Sequence, residues 1–535
     1  MTLPKSKHLY LYFFLLLSLL FFIINIYQSQ YFHWTAALDQ DIMIIYNSLL
    51  ISSGFEQEYR DHPAYTTFVI YAFLIKIFSL INPDILSNIN NLTNSVNPDR
   101  DLQILFYFCR NVNVIINISL VFFLYKLLLK IKLSQISAIL SCCILIVSGW
   151  YTESFFYLRN ENLAIIFFLI STIFQIKFFE ERKFVFIIFS GFFFGIAMLT
   201  KIQIIFLFFF QIIINLIKLN EDIKKNFIVK LTKNSDFFLF LIYILFSFFY
   251  IILQLKLQTY ERFDKIRYLD LILFIFFNCL ILFYVSISNN FNFNKIKLFI
   301  AFLSLYFIGF CSSIFLTVIL DLINFVKLNY YVLLRLANPF HYMIEFHVAD
   351  YPNLYGNTSV SLNYFKNLLF IALSKFDYNY IKIFILFIIL IISLRNDLFL
   401  NIKNNNYKYV KKILIFISIL SIIFILNLRG FLYYYETLVV IPYILAISYF
   451  IKNFSRKFIL IINCFLIIYF AYCNFYLQEK RKYPFTYYFS NQSSLHLICE
   501  KNKIFYQDVS YKSFLQYYHK RFDDNFIEKI CINSK

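Results

Sequence analysis

Long apolar runs, separated by short segments in which the charged residues collect, make up most of the chain. The runs lie near 10–27, 65–81, 104–129, 134–149, 161–178, 184–199, 202–218, 237–256, 269–288, 298–320, 380–394, 412–427, 432–451 and 457–476. A helix that crosses a bilayer needs about 20 mainly apolar residues. The pattern therefore predicts an all-α polytopic membrane protein, and charge decides how many of the fourteen runs cross.

Lysine and arginine set orientation, because short cytoplasmic loops carry them in excess. With Lys5 and Lys7 inside, a crossing at 65–81 would put nearly every later basic loop outside, including Lys126, Lys130 and Lys132, then Lys177, Arg182 and Lys183. If 65–81 instead enters and returns, or lies along the interface, all of those loops move inside. We expect the second arrangement, with about thirteen transmembrane helices. The domain plan is a transmembrane region over 1–476 with a first external loop at 28–103 and a large external loop at 321–379, then an external soluble tail over 477–535. The run at 10–27 lacks a small-residue cleavage site and reads as an uncleaved first helix. The N-terminus is then cytoplasmic and the C-terminus external.

Composition agrees. Apolar residues make up 61% of the chain and charged residues only 15%, where soluble domains carry roughly 25% charged. A net charge of +19 would suggest nucleic acid in a soluble protein, but the cations here sit in orienting loops, so we expect no nucleic-acid partner. With 7 glycines in 535 residues and no Walker loop or dinucleotide fingerprint, we do not expect a nucleotide as a direct substrate. The 73 Phe and 43 Tyr accompany abundant Ile, Asn and Lys, as an AT-rich coding bias would give, and are not taken as a binding signal. Of 9 cysteines, two lie in the polar tail; Cys499 and Cys531 either pair in an oxidising compartment or stand as free thiols, and the sequence leaves both open.

Ionisable residues in or beside a membrane are costly, so their positions are functional candidates. The first external segment carries Asp39, Asp41, Glu56, Glu58, Asp61 and His62, and from 41 to 55 it suits a short amphipathic helix on the membrane. Its carboxylates suit a general base or a divalent cation. The turn YTESFFYLRNENL supplies Glu153, Arg159 and Glu161. In GFFFGIAMLTK, glycines four apart permit close helix packing, and Lys201 is placed either to snorkel or to hold a lipid-linked phosphate. Arg429, beside three tyrosines, is a phosphate-fork candidate. The large loop holds Arg335, His341, Glu345, His347 and Asp350, which suit acceptor or sugar binding, with a metal on His341, Glu345 and His347 as the lesser alternative.

The order of these features resembles the membrane glycosyltransferases of the C-type superfamily, closest to the protein O-mannosyltransferases and the lipid A aminoarabinose transferases. DQDIMIIYN, with Asp39, Asp41 and Tyr46, is similar to the family's acidic pair and following tyrosine, although the family usually has adjacent Asp-Glu. Asp61-His62-Pro63, RNENL with Glu161, the Gly-rich helix ending at Lys201, and Arg429 with Tyr433, Tyr434 and Pro442 follow in the family's order.

The resemblance implies an inverting glycosyltransferase that moves a sugar from a polyprenyl-phosphate donor to a lipid, glycan or protein acceptor at the external face. It implies Asp41 or Asp39 as the acceptor's base, Glu161 as a further catalytic residue and Lys201 and Arg429 as phosphate ligands. Asp61 is implied as a candidate metal ligand for a divalent cation, with His62, Tyr46, Arg335 and His341 as substrate-binding candidates. The expected location is the bacterial inner (plasma) membrane, among membrane lipids. Two other readings use the same lipid-linked sugar: a flippase or transporter, and a polysaccharide polymerase or ligase.

Overall fold

A computed structural model describes residues 9–29, 33–34, 41–59, 64–149, 158–181, 183–208, 293–337, 377–399, 406–427, 436–480 and 519–532, with individual positions between them. The regular elements among these residues are helices, apart from a small hairpin in the tail. The helices are α1 (Leu9–Ser29), α2 (Asp41–Ser52), α3 (Tyr65–Ser79), α4 (Ile89–Thr93), α5 (Pro98–Lys130), α6 (Gln135–Ile146), α7 (Asn160–Glu181), α8 (Val185–Thr200), α9 (Phe293–Leu322), α10 (Tyr330–Ala337), α11 (Asp377–Phe399), α12 (Asn406–Asn427), α13 (Glu436–Ile451), α14 (Arg456–Lys480) and α15 (Asp524–Ile532). The hairpin pairs β1 (Ile504–Tyr506) antiparallel with β2 (Val509–Ser510). Among the described residues, four helices are long and apolar enough to cross a membrane: Pro98–Lys130, Asn160–Glu181, Phe302–Leu322 and Arg456–Asn474. Most of the runs at 202–218, 237–256 and 269–288 falls outside the described residues.

Local chemistry fixes the ends of these helices. Asn97 caps α5 by accepting from the Arg100 amide, and Pro98 occupies the first turn, where its missing N–H costs nothing. Ser134 caps α6 by accepting from Ser137. Leu16 and Leu19 in α1, Phe315 in α9 and Ile461 and Ile468 in α14 are large, apolar and exposed, as lipid-facing positions should be.

Close backbone approach joins α8 to α9. A Cβ on Gly191 would lie 1.9 Å from the Tyr306 carbonyl oxygen, and one on Gly309 would lie 1.9 Å from that of Ile188. The glycines four apart thus do what their spacing suggested, answered by a third glycine across the interface. Beside them Gln211 donates to Ser171 and Thr172 and accepts from Tyr306, a polar knot that satisfies its members inside an apolar bundle. Gly191→Ala or Gly309→Ala must push two backbones apart. We expect a loss of about 1–3 kcal/mol or more, read as a lower thermal midpoint of the detergent-solubilised protein.

The run at 65–81 forms α3, whose 15 residues extend about 22 Å, short of a roughly 30 Å hydrocarbon core. Its two flanks meet. Ser52 donates to the Ser87 carbonyl, and the Ile89 amide donates to Ser53 at 2.9 Å. At the opposite ends of α5 and α7, Lys130 pairs with Glu180, which brings together two of the basic loops used to assign topology. The amphipathic expectation for 41–55 is half met. Asp41–Ser52 is a helix, but Asp41 to Ile51 are all buried rather than two-faced. The physical reason is that α3 packs along α2 and the C-terminal tail covers another side.

Candidate active site

Asp41 opens α2 and is fully buried. Its Oδ2 accepts from Arg110 Nε and Nη2 at 3.3 and 3.2 Å, and its Oδ1 accepts from the Leu158 amide at 2.6 Å. Arg110 comes from within α5 and is itself buried, with its guanidinium 5.4 Å from the Phe106 ring centroid. Burial pushes the Asp41 carboxyl up to about 6, an effect that Arg110, the Leu158 amide and the nearby Arg159 only partly offset.

The Leu158 amide is held in place by a polar clasp on α5. Asn113 and Asn117 both donate to the Ser154 carbonyl, Asn162 donates to Asn117 and Ser154, and Tyr151 donates to the Asn117 carbonyl. Next in the chain, Arg159 is buried and lies within electrostatic reach of both Asp41 and Glu161. Glu161, in the first turn of α7, pairs with Lys201 at 3.0 Å, both residues almost wholly buried. Lys201 follows the last residue of α8 and precedes a 3-10 turn at Ile202–Ile204, the tight turn its neighbours suggested, but it points inward rather than to the surface. Asn160 Nδ2 donates to the Thr200 carbonyl, so the same ends of α7 and α8 meet.

The result is an alternating row of buried charges: Arg110, Asp41, Arg159, Glu161, Lys201. With both carboxylates ionised the row carries three positive and two negative charges, an excess of one positive. Glu161 Oε2 and Asn160 Oδ1 have no hydrogen-bond partner among the described residues, and neither does the buried Tyr71 hydroxyl near Asp41. Buried polar atoms left in this condition are costly unless a ligand or water meets them. The row therefore has the charge and the polar lining of an anion-binding, proton-handling site.

The other candidates are distributed as follows. Tyr46 is buried, with its hydroxyl donating to Glu58 at 2.7 Å and accepting from the Arg521 amide at 3.1 Å. Arg335 lies in the last turn of α10 and is half-buried. Asn329, just before that helix, donates to the Gln57 carbonyl and so ties the large loop to the first. Asp39, Asp61, His62, His341 and Arg429 lie outside the described residues. Among the described residues no three His, Cys, Asp or Glu side chains gather as a metal site. The two carboxylates of this row, Asp41 and Glu161, moreover already face cationic side chains.

Sequence reading missed Arg110 and Trp34. A lone arginine inside an apolar run was the available signal for the first. Trp34, one of two tryptophans, is fully buried and donates to Asp99 at 2.6 Å, pinning the chain after α1 to the start of α5.

Residues 106–246 match the family model of the dolichyl-phosphate-mannose-protein mannosyltransferases. The match spans Arg110, the asparagine clasp, Arg159, Glu161 and Lys201, and stops short of the acidic loop at 39–41. It is consistent with a membrane glycosyltransferase of the C-type superfamily. Neither curated proteins nor solved structures yield a match to the chain.

Proposed function

We propose that the protein transfers a sugar from a polyprenyl-phosphate donor to a lipid, glycan or protein hydroxyl at the external membrane face, with inversion at the anomeric carbon. The observation that carries this reading is the buried row from Arg110 to Lys201, built by Asp41 of the loop 28–103, by Arg110 of α5 and by the ends of α7 and α8. We place those segments, the loop 321–379 and the tail from 477 outside the bacterial plasma membrane, with about thirteen spans and a cytoplasmic N-terminus. The meeting of the flanks of α3 supports that placement.

Both oxygens of Asp41 are engaged, so its role is to hold Arg110 and the Leu158 amide. Asp39, two residues earlier, then serves as the base. The acceptor O–H gives its proton to that carboxylate, its oxygen bonds to the anomeric carbon, and the bond from that carbon to the phosphate oxygen breaks. The donor phosphate is a diester with one negative charge; the departing monoester gains a second. Lys201, Arg159 and Arg429 therefore bind the leaving group more strongly than the donor, which is the differential binding that accelerates a reaction. Glu161 holds the Lys201 ammonium in place. A divalent cation, if bound, would be held by Asp61 and would add positive charge at the phosphate.

Asp39→Asn should abolish transfer while the chain remains inserted and folded. The check is mass analysis of envelope glycans and glycoproteins from cells with the gene, without it, and with the variant. A wild-type glycan profile in the variant would remove Asp39 from the mechanism. Transfer should also rise with pH through an apparent pKa near 6, because Asp41 must be ionised to hold Arg110. A rate that stays flat from about pH 5 to 8 would count against that role.

A further inference from the structure

The last sixty or so residues read as a soluble polar tail, and part of this segment is a small folded piece seated on the first loop. Cys499 and Cys531 form a disulfide that closes a 32-residue separation, and Cys531 lies in α15. Phe522, Phe526, Ile527 and Ile530 are buried, with Phe522 and Phe526 stacked at 4.3 Å.

The contact with α2 is specific. Two consecutive tail amides are read by two side chains of the loop. Lys520 N donates to Glu58 Oε2 at 3.1 Å, and Arg521 N donates to the Tyr46 hydroxyl oxygen at 3.1 Å, while that hydroxyl donates to the same Glu58 oxygen. The Tyr46 ring meets His519 and Phe522 edge-on at 4.8 and 5.1 Å. The Arg521 guanidinium lies 3.8 Å from the Phe55 ring centroid and donates to Asn90 at 3.2 Å, and Lys529 reaches the Thr93 carbonyl. Burial keeps the Tyr46 phenol protonated, so it remains the donor to Glu58.

Tyr46 and Asp41 share one short helix, five residues or about 7.5 Å apart along its axis. A 12-residue helix is marginal alone, so its depth and rotation are set by what packs on it. The disulfide restricts the tail when it is undocked and so lowers the entropy lost on docking.

We propose that the disulfide-closed tail is a positioning element of the transferase, and that its latch on Tyr46 and Glu58 fixes α2 and hence the Asp41–Arg110 pair. Transfer then depends on the Cys499–Cys531 disulfide although no tail atom takes part in the chemistry. The proposal deepens the transferase reading and rests on it for its effect on rate, but not for its effect on α2. Reduction by dithiothreitol supplies two electrons and two protons, leaves Cys499 and Cys531 as thiols, and closes the reagent to its cyclic disulfide.

The test uses the full chain in lipid nanodiscs. Hydrogen exchange over 41–52 is compared for the wild type, the wild type with dithiothreitol, Cys499→Ser with Cys531→Ser, and Tyr46→Phe with Glu58→Gln. Each altered form should lose protection in α2 by about tenfold, while α7 and α8 are unchanged. Reduction makes the change without substitution and so guards against a misfolded variant. In parallel, release of polyprenyl phosphate from polyprenyl-phosphate mannose is measured as a probe. The kcat should fall about tenfold in each altered form with the donor KM unchanged, because the latch touches no donor atom.

Unchanged exchange in α2 overturns the proposal whatever the activity. A raised donor KM with intact kcat also overturns it, by making the tail a donor-binding element. If the wild type turns over none of the probe, the transferase reading fails on this donor while the exchange experiment still decides whether the tail positions α2.

Discussion

Asp41→Ala is expected to destabilise the protein by about 3–5 kcal/mol, because it leaves Arg110 buried without the carboxylate that faces it. Arg110→Leu should do comparable harm by stranding Asp41. The double variant Asp41→Leu with Arg110→Leu behaves differently. Replacing a buried ion pair with apolar residues of similar volume is often neutral or better, so much of the lost stability should return. Transfer should not return, because the Arg110 cation is gone and the Leu158 amide has lost the carboxylate that anchors it. Thermal midpoints in detergent together with donor turnover check both parts. A double variant that regains both folding and transfer would reduce the pair to scaffolding.

Lys201→Met is the second large effect. It removes the cation that pairs with Glu161 at 3.0 Å inside the protein. A donor that stabilises developing oxyanion charge is worth about 10²–10³ in rate, and we expect a loss of that size in kcat. Part of any fall in activity would come from leaving Glu161 buried with its counter-charge gone, so Lys201→Met with Glu161→Gln is the control. That double variant should recover the thermal midpoint and remain slow. The non-additivity of the two single changes measures how far the pair acts as one unit. Full activity in the double variant would rule out Lys201 as a phosphate ligand.

Much of this molecule could be read before any fold was known. The apolar runs at 104–129, 161–178, 184–199, 298–320 and 457–476 reappear as α5, α7, α8, α9 and α14, because in a bilayer a helix satisfies its own backbone and needs no partner to be specified. The glycines at 191 and 195 announced a close contact, and only Gly309, far away in sequence, completes it. Asp41, Glu161 and Lys201 stood out because charge is scarce in this chain, yet their partners did not follow from spacing. Arg110 is 69 residues from Asp41, and Leu158 is 117.

Tyr46 shows the limit most plainly. Its place after the acidic pair suggested contact with substrate; the engagement of its hydroxyl by Glu58 and by a tail amide 475 residues away did not follow from that place.

The sequence by itself determined that the chain is a helical membrane protein and which few ionisable residues stand out against its apolar runs. Local hydropathy and charge are sufficient for that, since each span answers to the bilayer alone. Only the tertiary structure decided that Asp41 is paired, that Arg159 lies within electrostatic reach of two carboxylates, that Lys201 faces Glu161 and that the tail sits on α2. Those are contacts between distant segments, and whether a buried charge is affordable depends on a partner that only folding brings near.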